Sequence, residues 1–162
     1  MIASTSTTCY LSEPWQNEAM GLALEEAKRA AKIGEVPVGA LLYVAGELVS
    51  RAHNVREASN NPLGHAECLA IKEAAEKIGS WRLEDAALVV TLEPCPMCMG
   101  AMLQARIPLL IYGADDARAG AAGSLYDLAD DPRLNHRIEV IRGVRREEAA
   151  ELLKGFFAGR RG

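Results

Sequence analysis

Two short segments of the chain combine side chains that bind metal ions with side chains that move protons. The first is His65-Ala66-Glu67, and the second is Pro94-Cys95-Pro96-Met97-Cys98. Two cysteines three positions apart can turn both thiolates towards one ion from a single helical turn, and an imidazole can supply a third ligand. Because zinc sites with three protein ligands keep the fourth tetrahedral position open, His65, Cys95 and Cys98 predict a catalytic zinc site.

Glu67 lies two residues beyond the imidazole ligand, about 200° around an ideal helix. It is therefore a poor ligand for the same ion, but at the first turn of a helix its carboxylate can lean towards a metal-bound water. Zinc brings the pKa of such a water down to roughly 7, and a nearby carboxylate can carry its proton to a leaving group. The pattern H-x-E with P-C-x-x-C is the signature of zinc-dependent deaminases.

Each piece of this pattern has another interpretation when it is taken alone. A histidine at a helix start is most often a satisfied polar residue, and C-x-x-C also occurs in zinc ribbons and thioredoxin-like redox proteins. A ribbon needs two more ligands at short spacing, which Cys9 and Cys68 do not offer. A redox pair leaves His65 and Glu67 unexplained. We interpret Cys68 as a small packing residue and Cys9 as a thiol of the N-terminal tail.

The spacing of apolar residues predicts the elements that position these segments. Helices are predicted from the Ser12 cap to Ile33 and over residues 65–78, 96–105, 125–129 and 147–157. Strands are predicted over residues 38–44, 47–52, 86–92, 109–112 and 137–141. This order predicts an α/β fold with three layers, α-β-α, around a mixed five-stranded sheet. A helix between the last two strands favours a parallel crossover there.

Length and composition predict a globular domain rather than a membrane or disordered protein. The chain has 162 residues, of which 49% are hydrophobic and 25% charged, enough to fill one core. No apolar run approaches the roughly 20 residues of a membrane span. The first basic residue is Lys28, so the N-terminus lacks the basic region of a signal peptide. We therefore predict a cytoplasmic protein with a flexible tail over residues 1–12 and one zinc-dependent domain over residues 13–162.

Basic residues are concentrated near the C-terminus of an acidic chain. Residues 137–162 hold seven basic and four acidic residues, whereas the whole chain has a formal net charge of −4. A basic end on an acidic body is a candidate contact surface for a phosphate backbone. It is also typical of a solvated helix face with i,i+4 ion pairs, and charge alone leaves both interpretations open.

Several longer runs resemble one family of proteins. Over roughly residues 13–161 the chain resembles the bacterial TadA-type tRNA adenosine deaminases. The runs are Glu35-Val36-Pro37-Val38-Gly39-Ala40, residues 91–98, residues 113–125, Asn135-His136-Arg137 and Phe156-Phe157. The H-A-E and P-C-x-M-C pieces are shared with cytosine and guanine deaminases. The G-A-A-G-S-L run, N-H-R and the terminal F-F are more particular to this family.

The resemblance implies a fold, a reaction and partners. It implies a cytidine deaminase-like fold, one Zn²⁺ per subunit, and conversion of adenosine to inosine at the wobble position of a tRNA anticodon, with an arginine tRNA as the expected substrate. It also implies a homodimer in which both subunits contact the tRNA. Water attacks C6 of adenine while Glu67 protonates N1 and assists the departure of ammonia. A single-stranded anticodon loop lets the base be splayed into a pocket.

The resemblance also implies roles for individual residues. Asn54 matches a residue that hydrogen-bonds the base, although by itself it is typical of an Asx turn. Val36 and Leu92 match the pocket walls, beside Ala66 of the H-A-E motif, although by themselves they are typical of core residues. Asp116 matches a position near the loop that faces the nucleic acid, where a carboxylate could accept from a ribose hydroxyl. The residues expected to contact RNA are Arg145, Arg146, Phe157, Arg160 and Arg161.

Two rival functions and one departure from the family pattern remain at this point. A free-base guanine or cytosine deaminase shares the zinc motifs, and a noncatalytic RNA-binding subunit could hold zinc structurally. The presence of Glu67 argues against the second rival. Asn61-Pro62-Leu63-Gly64 stands where the family usually has Asp-Pro-Thr-Ala, so we expect that turn or a nearby RNA contact to differ.

Overall fold

A mixed five-stranded sheet lies between two pairs of helices in the computed structural model, which describes residues 8–160. The helices are α1 (Glu13–Lys32), α2 (Ala66–Ile78), α3 (Pro96–Ala105) and α4 (Arg146–Arg160). The strands are β1 (Gly39–Val44), β2 (Glu47–His53), β3 (Ala86–Leu92), β4 (Leu109–Ala114) and β5 (Glu139–Ile141). Their order is β2-β1-β3-β4-β5, with β1 antiparallel to both neighbours and β3, β4 and β5 parallel. The predicted three-layer architecture and the mixed sheet are confirmed.

The sheet buries one core on each face, because successive side chains of a strand point to opposite sides. Ala40 and Leu42 of β1 pack with residues of α2 and α3. Leu41 and Tyr43 of the same strand pack with α1 and with Ala149 of α4. The central strand β3 is buried on both faces, as its continuous apolar run predicts. Between residues 8 and 160 no helix is long and apolar enough to cross a membrane.

The folded domain includes part of the predicted N-terminal tail. Tyr10 is only 2% exposed, and its hydroxyl accepts a hydrogen bond of 2.7 Å from the backbone N–H of Gly46. Cys9 packs against the same core cluster. A tail over residues 1–12 is therefore wrong for its last part, because a single tyrosine within a polar run supplies a large apolar ring to the core. Residues 1–7 lie outside the described residues.

The connection from β4 to β5 is an irregular loop, and the helix predicted over residues 125–129 is wrong. Ala122 and Asp127 form an isolated antiparallel bridge. The Asp127 carboxylate accepts hydrogen bonds from the backbone N–H groups of Ala129 and Asp130. Such local bonds from an aspartate compete with helix formation. The parallel pairing of β4 with β5 is nevertheless as predicted.

The elements converge at one end of the sheet, where β3 ends and where α2 and α3 begin. Gly39 opens β1 at a point where the strand passes very close to α1, and a Cβ there would collide with the backbone of Ala23 and Ala27. Only glycine permits this approach. The close packing brings the segment before β1 to the same end of the sheet as Cys95.

Candidate active site

His65, Cys95 and Cys98 come together at the amino ends of α2 and α3. Each cysteine Sγ lies 3.5 Å from His65 Nδ1, and the two sulfur atoms are 3.7 Å apart. A tetrahedral zinc ion has bonds of about 2.3 Å to sulfur and about 2.0–2.1 Å to nitrogen, so its ligand atoms are separated by about 3.8 Å (S to S) and about 3.5 Å (S to N). The donor set and the triangle of ligand atoms fit Zn²⁺.

Backbone conformation at the two helix starts explains how these side chains meet. His65 is the N-cap residue of α2, with extended torsions of φ −78° and ψ 145°. The helix begins only at Ala66, so the 200° offset of an ideal helix does not separate His65 from Glu67. Cys95 is likewise the N-cap of α3, with φ −75° and ψ 172°, and a proline occupies the first turn. Cys98 then follows within that same turn.

The pKa values of the Cys95 and Cys98 thiols depend on contacts between neighbouring sulfur atoms. The contact with Cys98 and the hydrogen bond with His65 lower the pKa of Cys95 to about 4, against the opposing effect of burial. The pKa of Cys98 is raised because its sulfur contacts those of Cys68 and Cys95 and is buried. The pKa of His65 is raised, chiefly by its hydrogen bond with Cys95. A divalent cation is therefore what allows both ligand sulfurs to be thiolates together.

A cavity of about 200 Å³ opens beside the three ligands. Pockets for drug-sized ligands measure about 300–1,000 Å³, so this cavity suits one flat base rather than a whole nucleotide. The cavity is lined by the predicted substrate residues Val36, Asn54, Ala66, Leu92 and Asp116, together with His65, Glu67 and Cys95. The structure thus brings these residues to one place, while the roles of the five substrate residues stay predictions.

Glu67 is buried in this cavity. Its residue is 4% exposed, and burial raises the pKa of its carboxyl group. Hydrogen bonds with its own backbone N–H and with Cys98 oppose that rise without cancelling it. A carboxyl group with a raised pKa can both accept and return a proton near neutral pH. The burial and position of Glu67 fit the proton carrier predicted from the sequence.

Asn54 makes the Asx turn that its loop position suggests and lines the cavity as well. Its Oδ1 accepts a hydrogen bond of 3.0 Å from the backbone N–H of Arg56, and its Nδ2 donates one of 3.3 Å to the carbonyl of Val36. A side-chain amide has two N–H donors and two acceptor lone pairs. One donor and one lone pair are therefore left for a base, and the turn holds the amide in a fixed orientation.

The structure adds residues that the sequence did not single out. Val38, Arg56 and Ala119 also line the cavity. Arg56 follows Asn54 by two residues in a loop without periodicity, so its only signal is a basic side chain close to a candidate base-binding residue. Glu93 is also missed. Its position next to Pro94 and Cys95 indicates that it is close to the site, but its hydrogen-bond donors lie far along the chain and cannot be predicted from its neighbours.

Glu93 is a buried carboxylate around which the loop after β4 is folded. Its Oε1 accepts a hydrogen bond of 3.1 Å from the backbone N–H of Asp116, and another from the Ser124 hydroxyl. Its Oε2 accepts bonds from the backbone N–H groups of Ala122, at 3.0 Å, and Ser124, at 3.1 Å. A Cβ on Gly120 would collide with this carboxylate. Glu93 therefore fixes the wall of the cavity to which Asp116 belongs.

Two of the predicted RNA-contact residues lie at the start of α4. Arg145 makes two hydrogen bonds of 2.8 Å with the Glu148 carboxylate and donates one of 3.1 Å to the carbonyl of Asn17. This guanidinium ties α4 to α1. Arg146 lies 3.5 Å from Asp115, in the segment that continues into the cavity wall.

The other RNA-contact candidates lie at the end of α4. The Arg160 guanidinium is 4.5 Å from the centre of the Phe156 ring and donates a hydrogen bond to the carbonyl of Gly34. Phe157 is 45% exposed. Arg161 lies outside the described residues. Gly34 precedes Val36 of the cavity wall by two residues, so the basic end of the chain is close to the segment that forms this wall.

Comparisons with known proteins agree with this geometry. A profile of the MafB19-like deaminases matches residues 15–161. The tRNA-specific adenosine deaminase of Bacillus subtilis (strain 168) is 48% identical over 135 residues, which are 83% of this chain and 84% of that protein. A solved structure from a study of A-to-I editing by tRNA:A34 deaminases at the wobble position of transfer RNA has a TM-score of 0.81 and 41% identity, and covers 84% of this chain and 99% of that one.

A solved guanine deaminase from Nitrosomonas europaea has a TM-score of 0.74 at 24% identity over 88% of this chain and 84% of that one. This likeness concerns the fold alone. The fold is the cytidine deaminase-like fold that the resemblance predicted. By the extent and identity of these matches, the chain belongs to the MafB19-like deaminases and to the family of the tRNA-specific adenosine deaminases.

Proposed function

We propose that the chain is a zinc-dependent hydrolase that converts adenosine to inosine at the wobble position of a tRNA anticodon. The observation that carries this proposal is the ligand triangle of His65, Cys95 and Cys98 beside a base-sized cavity that contains the buried Glu67. The family membership selects adenosine in tRNA among the substrates that such a site could accept.

His65, Cys95 and Cys98 would hold one Zn²⁺ per subunit, which when bound would supply a water molecule activated at neutral pH. The Glu67 carboxylate takes a proton from the attacking water and delivers it to N1 of adenine. The carboxylate then takes the second proton of the added water from the new hydroxyl on C6 and transfers it to the amino group, which leaves as ammonia while C6 becomes a carbonyl. The overall reaction consumes adenosine and water and yields inosine and ammonia.

The remaining cavity residues orient the base. The free donor and lone pair of Asn54 match the edge of a purine, while Val36 and Leu92 pack on its faces and exclude water. Asp116 uses one carboxylate oxygen to accept hydrogen bonds from the backbone N–H groups of Arg118 and Ala119. Its other oxygen can accept from a ribose hydroxyl at the cavity mouth.

The size of the cavity requires the target base to leave its stack. A single-stranded anticodon loop lowers that cost to less than the few kcal/mol needed in a duplex. We assign the phosphate contacts to Arg56 at the cavity and to Arg146, Arg160 and Arg161 of the basic C-terminal region. Arg145 has a structural role instead, because both edges of its guanidinium are engaged. An arginine tRNA stays the expected substrate, and a tRNA substrate places the activity in the cytoplasm.

A homodimer is the proposed assembly. An apolar groove between α2 and α3 supports it, with Ile71, Ala75 and Ala101 along its walls. Trp81, at the edge of this groove, is 58% exposed. Sedimentation velocity of the intact protein and of the Trp81→Glu variant tests this assembly, which predicts a dimer that the substitution weakens. A monomer at micromolar concentration contradicts it.

A substrate panel tests the function. Zinc-loaded protein is incubated with an arginine tRNA transcript, with the same transcript carrying guanosine at the wobble position, and with free adenosine, guanine and cytosine. We expect inosine and ammonia from the first transcript alone. Turnover of guanine or cytosine without tRNA editing supports the free-base rival, and tRNA binding without any inosine supports the noncatalytic rival.

A further inference from the structure

A third sulfur lies against the candidate metal centre, beside the two that belong to the ligand set. Cys68 Sγ is 3.7 Å from Cys98 Sγ, the same separation as between the two ligand sulfurs. Cys68 lies in the first turn of α2 and is half-buried, whereas Cys98 is fully buried. The compact group of three ligand atoms does not include Cys68. The mechanism above leaves this thiol without a role.

We propose that Cys68 and Cys98 form a reversible disulfide when the protein meets hydrogen peroxide, and that this bond releases the zinc. The proposal rests on the zinc centre proposed above. It makes the pair a redox modification site through which peroxide stops deamination. The bond removes a sulfur ligand, so that His65 and Cys95 alone are left to hold the ion.

The chemistry balances with peroxide as the only oxidant. The Cys68 thiol attacks one oxygen of hydrogen peroxide and becomes a sulfenic acid, and one water leaves. The Cys98 sulfur, which is a thiolate while it is a metal ligand, then attacks the sulfenic sulfur, forms the S–S bond and gives up its bond to the ion. The displaced hydroxide takes a proton from solvent and becomes the second water. In sum, one thiol, one thiolate, one proton and one peroxide give one disulfide and two waters. A dithiol reductant reverses the bond by thiol–disulfide exchange and is itself oxidised to a disulfide.

The geometry selects this pair over Cys95 with Cys98. When the metal is bound, both of those sulfurs are its ligands, whereas Cys68 has a sulfur outside the ligand triangle and a partly exposed side chain. Oxidation therefore begins at Cys68, and the sulfur that it contacts is that of Cys98. An S–S bond is about 2.05 Å long, so the two sulfur atoms must approach from 3.7 Å. Cys68 and Cys98 lie in the first turns of two helices, so the approach requires rotation of the side chains about their Cα–Cβ bonds.

The experiment follows zinc and the disulfide together. Zinc-loaded, full-length protein is titrated with hydrogen peroxide while a chromogenic chelator reports free zinc. Intact mass and peptide mapping after thiol blocking then identify the bond. We expect one zinc released per disulfide, a peptide that joins Cys68 to Cys98, and recovery of bound zinc after dithiothreitol and zinc are added.

Variants separate this pair from other thiols. In Cys68→Ser and Cys68→Ala we expect zinc release to slow by an order of magnitude or more, because the intramolecular partner is lost. Cys9→Ser is the matched control, since Cys9 packs in the core on the opposite face of the sheet, and it should release zinc like the parent protein. Zinc content and thermal unfolding before oxidation show that each variant is folded.

Two results overturn the proposal. One is zinc release from both Cys68 variants at the parental rate. The other is a peptide that joins Cys95 to Cys98 in the parent protein. Failure of the underlying function looks different, because a protein that holds no zinc or forms no inosine before peroxide is added contradicts the proposed function itself. A zinc-loaded, active protein without the Cys68–Cys98 bond contradicts only the redox site.

Discussion

Replacing Glu93 with glutamine should loosen one wall of the cavity without touching the ligands. The carboxylate accepts four hydrogen bonds, two on each oxygen. Glutamine keeps one oxygen and places an NH₂ group where the other was. If the NH₂ faces Asp116 and the Ser124 hydroxyl, the hydroxyl can rotate to accept, and the partly buried N–H of Asp116 loses its acceptor. The opposite orientation leaves the N–H groups of Ala122 and Ser124 without acceptors, so it costs more.

A buried N–H that loses its acceptor lowers the free energy of unfolding by about 1–3 kcal/mol. For a domain of this size, each kcal/mol shifts Tm by about 2–4 °C, so Glu93→Gln should lower Tm by roughly 2–12 °C. The loop that the substitution would displace contains Asp116 and Ala119, which line the cavity. Because a shift of about 1 Å can cost on the order of a hundredfold in rate, we expect kcat/KM on tRNA to fall by roughly tenfold to a hundredfold, chiefly through KM.

The assay combines thermal unfolding, zinc content and steady-state inosine formation on a tRNA transcript. Glu84→Gln is the matched control, since Glu84 is exposed and pairs with the exposed Arg82, and such surface changes usually stay within about 0.5 kcal/mol. Glu93→Gln should retain one zinc per chain. A variant with parental Tm and parental KM refutes the reasoning, because the loop then keeps its position without the carboxylate. Loss of zinc also refutes it, because Glu93 then supports the ligands rather than the opposite wall.

Three further predictions concern catalysis, RNA binding and pH. Glu67→Gln should lower inosine formation by about 10²–10⁴-fold with zinc retained by metal analysis, since it removes the proton carrier; an active variant contradicts this role. Arg56→Ala should weaken tRNA binding and reduce the slope of log Kd against log salt by about one. Arg145→Ala should instead lower Tm and leave the slope unchanged. Equal slopes for Arg56→Ala and the parent count against the phosphate contact. For Glu26, burial raises the pKa, but hydrogen bonds from Arg51 and its neighbours outweigh burial and lower it below 4.5. The ionised carboxylate therefore stabilises the fold above about pH 4.5 and loses this effect as pH falls through the lowered pKa. Denaturant unfolding at several pH values should show Glu26→Gln less stable than the parent at pH 7 and the difference closing in acid; a difference independent of pH contradicts the argument.

The ligand set could be predicted because its information is local. His65 and the two cysteines each lie within one turn of a helix start, and Pro96 marks one of those starts in the sequence itself. The buried run of β3 and the alternation of β1 likewise depend on neighbouring residues. Wherever the structure follows from spacing along the chain, the strands and helices match the prediction to within a few residues.

The features that the sequence did not predict depend on partners far along the chain. Glu93 accepts bonds from residues 23 to 31 positions later, and no periodicity connects them. Tyr10 lies in a polar stretch, but its ring packs near that of Tyr43 and its hydroxyl accepts the backbone N–H of Gly46, both more than 30 residues away. Nothing in the sequence indicates that the Arg145 guanidinium, a candidate for phosphate contact, donates to the carbonyl of Asn17, 128 residues away. Pairings of this kind are set by tertiary packing, which residue types alone do not reveal.

The helix starts show that the active site limits the stability of the fold. His65 and Cys95 occupy N-cap positions, where serine, threonine, aspartate or asparagine would accept a backbone N–H bond, yet within residues 8–160 neither side chain makes such a bond. A missing cap costs about 0.5–2 kcal/mol. The helix N–H groups and the positive end of the helix dipole are instead available to the thiolates. They act beside the contact with the Cys98 sulfur and the hydrogen bond with His65, which lower the pKa of Cys95. Serine at either position would stabilise the helix locally and remove a ligand, so stability and metal binding compete for the same two residues.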